Sequence, residues 1–432
     1  MTHRFRTLLL IAALAPFFGS TAAAQTNNDG SVYSRYGLGT LEPALTSQAR
    51  AMGRAETALM SANYVPFSNP GAWSAQILTR FSGSFNYQSV HYRNAAGESS
   101  QLSTSQLGPA SFTFPILRNK LGFALLYNPF TRIGYRIRDE GTVRGDTTRF
   151  TGTFNGDGGL QSIRTGLGYR LTSAIRVGAS FDLITGILER GRFVQYPGEN
   201  YADARLTHET QLTGVTGTLG ALVTAPDFFR EDDLFKFGGS VRLPAGLDGT
   251  RLNTLGETLD RDTVGTVREG SVDLPAEFRG GIAYRPNEYW HIAVDGLYEP
   301  WTQFESELSF AGYTPGPNGA SRFTDRWQVG GGFEYVPAGT AQNAPYLSRT
   351  AYRLGGLVDR HYVQPVAGVD LTTYAVTAGL GLPTAVAGNH LDVSLEVGSR
   401  GTTSQGLVRD LYFDLSLVLN FGERWFMQQA IQ

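Results

Sequence analysis

The sequence predicts an all-β protein, a 14-stranded antiparallel transmembrane β-barrel of the outer membrane with an N-terminal hatch segment. Three observations predict it: an export signal, a repeated alternation of apolar and polar residues, and connections that alternate between short and long. After residue 25 the chain has no run of 18 apolar residues, which excludes a membrane protein built from helices.

Residues 1–24 have the three parts of a secretory signal peptide. Two arginines precede an apolar stretch from Leu8 to Phe18, and three alanines then precede Gln25. Because the apolar stretch is too short to span a membrane comfortably, we expect cleavage after Ala24 rather than anchoring. The chain has no cysteine, so it has no site for a lipid anchor and forms no disulfide after export.

The C-terminal stretch RDLYFDLSLVLNF (residues 409–421) shows the alternation most clearly. From Leu411 onward its odd positions are all apolar, and its even positions are mostly polar. Successive side chains of a strand point to opposite faces, so one face is suited to lipid and the other to a lumen. We expect this strand to close the barrel against the first strand near 79–90. The terminal Phe421 fits the aromatic end by which the barrel assembly machinery is thought to recognise such proteins.

The sequence contains fourteen alternating segments, and this strand is the last of them. They centre on residues 80–90, 110–116, 121–127, 163–171, 175–183, 212–225, 235–243, 277–285, 289–299, 323–335, 350–358, 371–382, 389–400 and 409–421. A charge on the lipid face of a barrel costs roughly 2–4 kcal/mol at mid-depth. The charges of the later segments fall on the face that is not apolar, as that cost predicts: Arg326, Glu334, Asp392, Glu396 and Arg400.

The connections between these segments alternate between short and long. The short ones are 118–120, 171–174, 285–288 and 383–389, and the long ones are 93–107, 134–157, 189–205, 245–276, 302–322 and 359–370. Outer-membrane barrels have tight periplasmic turns and long external loops, whereas a soluble sandwich has no reason to sort its loops by end. Two connections on the short side, 225–234 and 336–349, are longer than this pattern predicts.

The segment ahead of the first strand, residues 25–76, lacks the alternation and is called the hatch below. Thr46 or Ser47 is suited to cap a short helix with apolar positions at Ala51, Met52, Ala55 and Leu59. The hatch either hangs in the periplasm or folds into the lumen as a plug. The barrel then occupies residues 77–421, and residues 422–432 form a periplasmic tail.

Composition and motifs give no argument for other functions. The net charge of -2 gives no reason to expect nucleic-acid binding, and lysine occurs only at Lys120 and Lys236. The histidines lack the spacing of a metalloprotease, and no nucleophile elbow is present. We therefore expect no catalytic residue, metal or cofactor. Asp295 is expected to pair with an arginine in the lumen, and Trp290, Trp301 and Trp327 are expected to belong to aromatic girdles.

Several motifs in sequence order resemble the long-chain fatty-acid transporter (FadL-like) family of outer-membrane proteins, which includes aromatic-hydrocarbon channels. They are YSRYGLG, RAMG, SNPGAW, DLPAEFRGGIAYRP, VDGLYEPW, YRLGG, GLGLP and GSRGTTSQGL, and they resemble members from Bacteroidota-type bacteria most. The resemblance covers about residues 31–427. It implies a 14-stranded barrel closed by the hatch, with hydrophobic molecules entering the lumen and leaving sideways through the wall.

The resemblance also implies which hatch residues lie along the ligand path. Met52 and Gly53 match the family, but Arg54 stands where a second glycine is usual. In the second motif Gly71 replaces the usual alanine. The candidate hatch residues are Met52, Gly53, Phe67, Asn69, Pro70, Gly71 and Trp73.

The third strand is the candidate for a lateral opening. Asn128 and Pro129 interrupt it early, and proline cannot donate a hydrogen bond to a neighbouring strand. One hypothesis is that these two residues bend the strand inward, with Phe130 at the lip of the opening. The alternative is that Pro129 marks the external rim where the strand ends.

The function implied is uptake of hydrophobic small molecules by passive diffusion through a plugged, monomeric barrel in outer-membrane lipid. Two alternatives come from other classes. The first is an accessory barrel of a protein-secretion system that binds other polypeptides, and the second is a diffusion porin for polar solutes.

Overall fold

The structure is a computed structural model that describes residues 30–143, 148–197, 202–256, 262–341, 343–384, 386 and 388–425. The predicted signal peptide and most of the predicted tail lie outside these residues. No helix within the described residues is long and apolar enough to cross a membrane.

The predicted fold class is confirmed, because 14 antiparallel strands close into a barrel. The first six strands are β1 Thr79–Arg93, β2 Ser99–Leu117, β3 Leu121–Pro129, β4 Arg149–Arg170, β5 Ile175–Gln195 and β6 Ala204–Pro226. The next three are β7 Leu234–Arg242 extended by Ala245–Leu255, β8 Arg268–Leu274 with Glu277–Arg285, and β9 Trp290–Glu299. The last five are β10 Arg326–Tyr335, β11 Ala351–Arg360, β12 Thr372–Pro383, β13 His390–Arg400 and β14 Arg409–Glu423.

The barrel closes between its first and last strands as the C-terminal pattern predicts. β14 pairs with β1 from Thr79 opposite Glu423 to Arg93 opposite Arg409. Closure of this kind removes the free sheet edges that an open sheet would expose to lipid. Along β14, Leu411, Phe413 and Leu417 face outward and are exposed, whereas the even-numbered residues face the lumen.

The predicted long external loops are mostly strands. β2 begins at Ser99, β4 begins at Arg149, and the segment Tyr135–Thr142 continues the third strand beyond the membrane. Outside the lipid both faces of a hairpin meet water, so nothing imposes an alternation of apolar and polar residues. The sequence pattern therefore places the strand ends too early, whereas backbone pairing carries the hairpins outward.

The hatch lies inside the barrel. It contains two 3-10 segments, Val32–Arg35 and Pro70–Ala75, and one short helix, α1 Ser47–Ala51. A two-residue strand, Thr40–Leu41, pairs with Thr131–Arg132. Residues 131–132 belong to the third strand, so the barrel wall itself bonds to the hatch at this level.

Candidate functional site

The hatch helix begins where the sequence predicts and ends sooner. The Thr46 side chain caps α1 by accepting a hydrogen bond from the backbone of Ala49 at 3.2 Å. Gly53 and Arg54 both have positive φ angles, 65° and 66°, which terminate the helix. The apolar positions predicted beyond them, Ala55 and Leu59, thus lie outside the helix but still join its buried cluster.

Gly53 allows the hatch to touch the wall backbone to backbone. Its N–H donates to the hydroxyl of Thr377 at 2.9 Å. A Cβ atom at this position would collide with the carbonyl oxygens of Gly331 and Gly356, which belong to β10 and β11. Met52 beside it is fully buried. Glycines on both surfaces therefore set how closely the hatch approaches the wall.

Arg54, which departs from the family pattern, joins the hatch to two wall strands. Its guanidinium lies 2.6 Å from the carboxylate of Glu396 on β13 and 3.5 Å from that of Asp359 on β11. All three side chains are largely buried. A buried charge is tolerated only when it is paired, so these contacts oppose movement of the hatch away from the wall.

The ion pairs continue across the lumen from this point. Arg326 contacts Asp359 at 3.0 Å and Glu299 at 3.0 Å, and Arg242 contacts Glu299 at 3.1 Å. These residues come from β7, β9, β10 and β11, so the network connects strands on one side of the barrel. Arg326, one of the charges that the sequence sorts to the lumenal face, is thereby paired with two carboxylates.

Two buried carboxylates accept hydrogen bonds from backbone N–H groups of the hatch. Glu56 accepts hydrogen bonds from the N–H groups of Thr46 at 2.7 Å, Phe67 at 3.0 Å and Ser68 at 2.9 Å. Asp295 on β9 accepts from Glu56 and Thr57, both at 2.6 Å. The predicted pairing of Asp295 with an arginine is therefore wrong, because one carboxylate oxygen accepts from hatch N–H groups and no described arginine forms an ion pair with either oxygen.

The second hatch motif rests on the periplasmic part of β4, β5 and β6. The side chain of Asn69 donates to the carbonyl oxygens of Thr57 at 2.8 Å and Ala221 at 2.9 Å, and accepts from Gly71 at 2.9 Å. Pro70 lies against wall glycines of these strands, where a Cβ would collide with it. Trp73 is 0% exposed, and its indole N–H donates to the carbonyl oxygen of Pro66 at 2.7 Å.

An aromatic cluster, called the aromatic cap below, closes the external end of the lumen. Trp301 stacks on Tyr362 with ring centroids 4.1 Å apart, and Phe304 and Phe323 pack beside them. The Tyr362 hydroxyl accepts from Leu38 of the hatch at 3.2 Å. Trp301 is only 1% exposed, so its prediction as a girdle residue is wrong. It follows β9 directly, and its chain turns inward instead of ending in lipid.

Trp290 and Trp327 do lie on the outer surface, at opposite ends of the barrel. A lumenal void of about 50 Å³ lies beside residues 41–44 of the hatch. Its lining includes the charged side chains of Arg164, Asp182 and Glu277. A void of that size holds about three or four water molecules and no hydrocarbon ligand of useful length.

The wall opens between β2 and the third strand. Their pairing ends at Ala110 opposite Tyr127, although β3 remains paired with β4 as far as Pro129 opposite Gln161. Beyond this point the chain turns inward to pair with hatch residues 40–41. A cavity of about 720 Å³ lies in the wall there, lined by residues of β2, the third strand, β4 and β5.

The three residues predicted for a lateral opening are divided between two places. Pro129 lines the wall cavity, whereas Asn128 and Phe130 line the lumenal void. Phe130 is 8% exposed and has the guanidinium of Arg242 5.0 Å from its ring centre. Hatch residues Met52, Gly53, Phe67, Asn69, Pro70, Gly71 and Trp73 are all buried within the barrel.

A protein-family model described as BamG matches residues 4–432. The chain belongs to the BamG family. No curated protein matches the chain in sequence.

Solved structures of outer-membrane channels share the fold of this BamG family member. A Pseudomonas aeruginosa FadL homologue is 10% identical, has a TM-score of 0.58, and is matched over 90% of this chain and 100% of its own. The Ralstonia pickettii toluene transporter TbuX is 14% identical, with a TM-score of 0.58 and coverage of 88% and 99%. The Pseudomonas putida toluene transporter TodX is 15% identical, with a TM-score of 0.56 and coverage of 90% and 100%. The chain therefore has the outer-membrane FadL-like barrel fold.

Proposed function

We propose that this barrel serves the barrel assembly machinery of the outer membrane as a partner of other polypeptides, and not as a route for solutes. The family description BamG supports this assignment. Of the two alternatives that the sequence leaves open beside uptake, it is nearer to the first, an accessory barrel of a protein-secretion system that binds other polypeptides.

The observation that carries the proposal is the way the hatch and the aromatic cap are bonded across the lumen. Buried ion pairs at Arg54 and backbone hydrogen bonds to Glu56 and Asp295 fix the hatch, while the aromatic cap closes the external end. A channel needs a ligand path or a hatch that moves at low cost. Breaking buried ion pairs of this kind costs about 3–5 kcal/mol, which opposes repeated opening. A barrel that acts by its outer surface and loops needs no such path.

Affinity purification of the tagged full-length protein from solubilised outer membranes tests the proposal. We expect subunits of the assembly machinery to be enriched in near-stoichiometric amounts. A tagged FadL-like transporter of the same membrane provides the control. Purification of the barrel free of protein partners, but with a bound hydrophobic molecule, would contradict the proposal.

A second candidate function is uptake of a fatty-acid-like or aromatic hydrocarbon molecule with lateral release. The wall cavity of about 720 Å³ beside Pro129 supports it, and two similar folds are described as toluene transporters. Pro129→Val is expected to extend the pairing between β2 and β3 and to reduce uptake in proteoliposomes without impairing assembly. An uptake rate equal to that of protein-free liposomes, for wild type and variant alike, would remove this candidate.

We also propose that the mature chain begins at Gln25 and occupies the outer membrane as a monomer. The signal peptide pattern supports the first point, and the motif resemblance supports an origin in Bacteroidota-type bacteria. N-terminal sequencing of the protein from outer-membrane fractions, together with light scattering in detergent, tests both the cleavage site and the monomeric state.

A further inference from the structure

The periplasmic end of the lumen contains a pocket of about 320 Å³, called the mouth pocket below. It lies between hatch residues Leu59–Tyr64, the inner faces of β7 and β8, and the connection 336–350 between β10 and β11. This connection is one of the two that the sequence pattern predicts to be shorter. It carries the short helix Tyr346–Arg349, which brings a further cation to the pocket.

Three cations of the mouth pocket have no acidic partner. Lys236, Arg285 and Arg349 line it, and none forms an ion pair with any described residue. The ammonium of Lys236 donates at 3.4 Å to the carbonyl oxygen of Met60. The Nε atoms of Arg285 and Arg349 are buried and lack a hydrogen-bond partner in the described structure. Arg80, Arg176 and Arg190 also lack an ion pair with any described residue, but their guanidinium groups donate to carbonyl, amide or hydroxyl oxygens of the hatch and the turns.

Strand pairing keeps two of these cations close together. Leu234 lies opposite Arg285, and Lys236 lies opposite Ala283, so the two cations are diagonal neighbours on the lumenal face. Diagonal pairs across two antiparallel strands have their Cα atoms about 7–8 Å apart. Like charges on such neighbouring positions repel each other, and an anion between them would relieve that repulsion.

The carboxylates that line the mouth pocket form ion pairs or hydrogen bonds with other residues. Glu334 is held by Arg353 at 2.7 Å and by His291 at 3.1 Å. Glu288 accepts from the hydroxyl of Thr340 at 2.7 Å. Neither forms an ion pair with the three free cations. The described charges of the pocket therefore favour an anionic ligand.

The remaining lining is partly apolar. Leu59, Leu234, Ile292 and Val336 contribute to the walls of the pocket. A fully hydrated inorganic anion gains nothing from such walls, whereas a ligand with an apolar body buries surface against them. The volume of about 320 Å³ also lies at the lower end of the range for small-ligand sites, about 300–1,000 Å³.

We infer that the mouth pocket binds a carboxylate group carried on a short apolar body. Lys236 and Arg285 receive the carboxylate, Arg349 closes over it from the periplasmic connection, and the apolar body lies against the aliphatic walls. Such a carboxylate can come from the C-terminus of a polypeptide or from a fatty acid. The site does not depend on the partnership with the assembly machinery proposed above.

Calorimetric titration of the full-length protein in lipid nanodiscs, corrected with empty nanodiscs, tests the inference. Four probes are used: hexanoate, acetate, the dipeptide acetyl-Leu-Phe with a free carboxyl group, and the same dipeptide as its amide. Hexanoate and the free dipeptide are expected to bind at least tenfold more tightly than acetate and the amide, respectively. Tighter binding of the dipeptide would indicate a polypeptide terminus as the source, and tighter binding of hexanoate a fatty acid; either result supports the site.

Variants then locate the binding. Lys236→Met and Arg285→Met are each expected to weaken binding about tenfold or more, since each removes a charged hydrogen-bond donor to the carboxylate. Lys120→Met removes the other lysine of the chain, in the turn between β2 and β3, and is expected to change nothing. Arg349→Gln alters the connection and leaves the wall intact, so it tests the site even if a wall variant fails to fold.

Unchanged affinity in Lys236→Met, Arg285→Met and Arg349→Gln would overturn the inference. So would wild-type protein that binds neither hexanoate nor the free dipeptide. Inorganic phosphate that binds as tightly as hexanoate would contradict the requirement for an apolar body. Heat-dependent migration on gels establishes that each variant retains a folded barrel.

Discussion

Replacement of Arg54 by glutamine tests how the hatch is held. The change removes the guanidinium that lies 2.6 Å from Glu396 and 3.5 Å from Asp359. Breaking a buried pair costs about 3–5 kcal/mol when the partner is left alone. Here Glu396 keeps a 2.6 Å hydrogen bond from Tyr412, and Asp359 keeps Arg326 at 3.0 Å. We therefore expect the low end of that range, about 3 kcal/mol, for the free energy that holds the hatch against the wall.

Such a loss raises the population of the detached hatch about 100-fold, because each 1.4 kcal/mol is a factor of ten. Hydrogen–deuterium exchange in nanodiscs measures it directly, through peptides that cover residues 49–60. Amides of the hatch should exchange about 100-fold faster in Arg54→Gln, while those of β11 and β13 keep their protection. Arg35→Gln is the control, because Arg35 belongs to the same hatch and donates to the hydroxyl of Tyr36 without an ion pair to any described residue. If the hatch amides of Arg54→Gln exchange at the wild-type rate, the reasoning is refuted.

Three further predictions concern the hatch and the periplasmic connection. Deletion of residues 31–75 should leave a folded barrel with raised leakage of small polar solutes, measured by liposome swelling; unchanged leakage would mean that the segment does not plug the lumen. Gly53→Ala should destabilise the hatch by about 1–3 kcal/mol, measured by thermal melts, because the added Cβ collides with wall carbonyl groups. Gly97→Ala is the control for the backbone effect alone, since Gly97 also has a positive φ but its added Cβ would have no described atom within 4 Å. The hydroxyl and backbone N–H of Thr340 donate hydrogen bonds that lower the pKa of Glu288 below its usual value of 4.5. The stabilisation from this contact is therefore complete above pH 4.5, and it is lost as the pH falls through the lower pKa of the folded state. Protection of the Thr340 amide, corrected for intrinsic exchange, should decrease on acidification; protection that rises instead would contradict this sign.

The sequence predicts the wall well because lipid constrains it. A charged side chain on the lipid face is expensive, so alternation in β14 and the placement of Arg326 and Glu396 follow from a local rule. The start of α1 is predictable for the same kind of reason, since the cap at Thr46 depends on residues only a few positions away. These features require no knowledge of which strands are neighbours.

The hatch contacts could not be predicted, because they join residues far apart in sequence. Arg54 meets Glu396, and Asp295 meets the backbone of Glu56 and Thr57, only after the barrel has closed. Trp301 resembles a girdle residue by its position at a strand end, but the chain after β9 folds inward. One signal was present in the sequence. Arg54 stands where the family usually has glycine, and a charged residue at a buried position indicates an ion-pair partner.

The sequence-based prediction of a lateral opening at Pro129 concerns the strand in which pairing with β2 ends. That pairing ends at Tyr127, two residues before Pro129. The sequence does not show that β3 stays paired with β4 through Pro129, or that Phe130 turns into the lumen. Those features depend on the short pairing between residues 131–132 and 40–41, which brings the third strand toward the hatch.

The most direct test of the proposed function is depletion of the protein in its own cells, followed by pulse-labelling of newly made outer-membrane barrels. The fraction of each labelled barrel that becomes heat-modifiable reports its insertion. If this barrel serves the assembly machinery, insertion of many unrelated barrels should slow on depletion and recover with the wild-type gene. Normal insertion of other barrels, together with reduced uptake of a hydrophobic compound, would contradict the proposal and favour the channel.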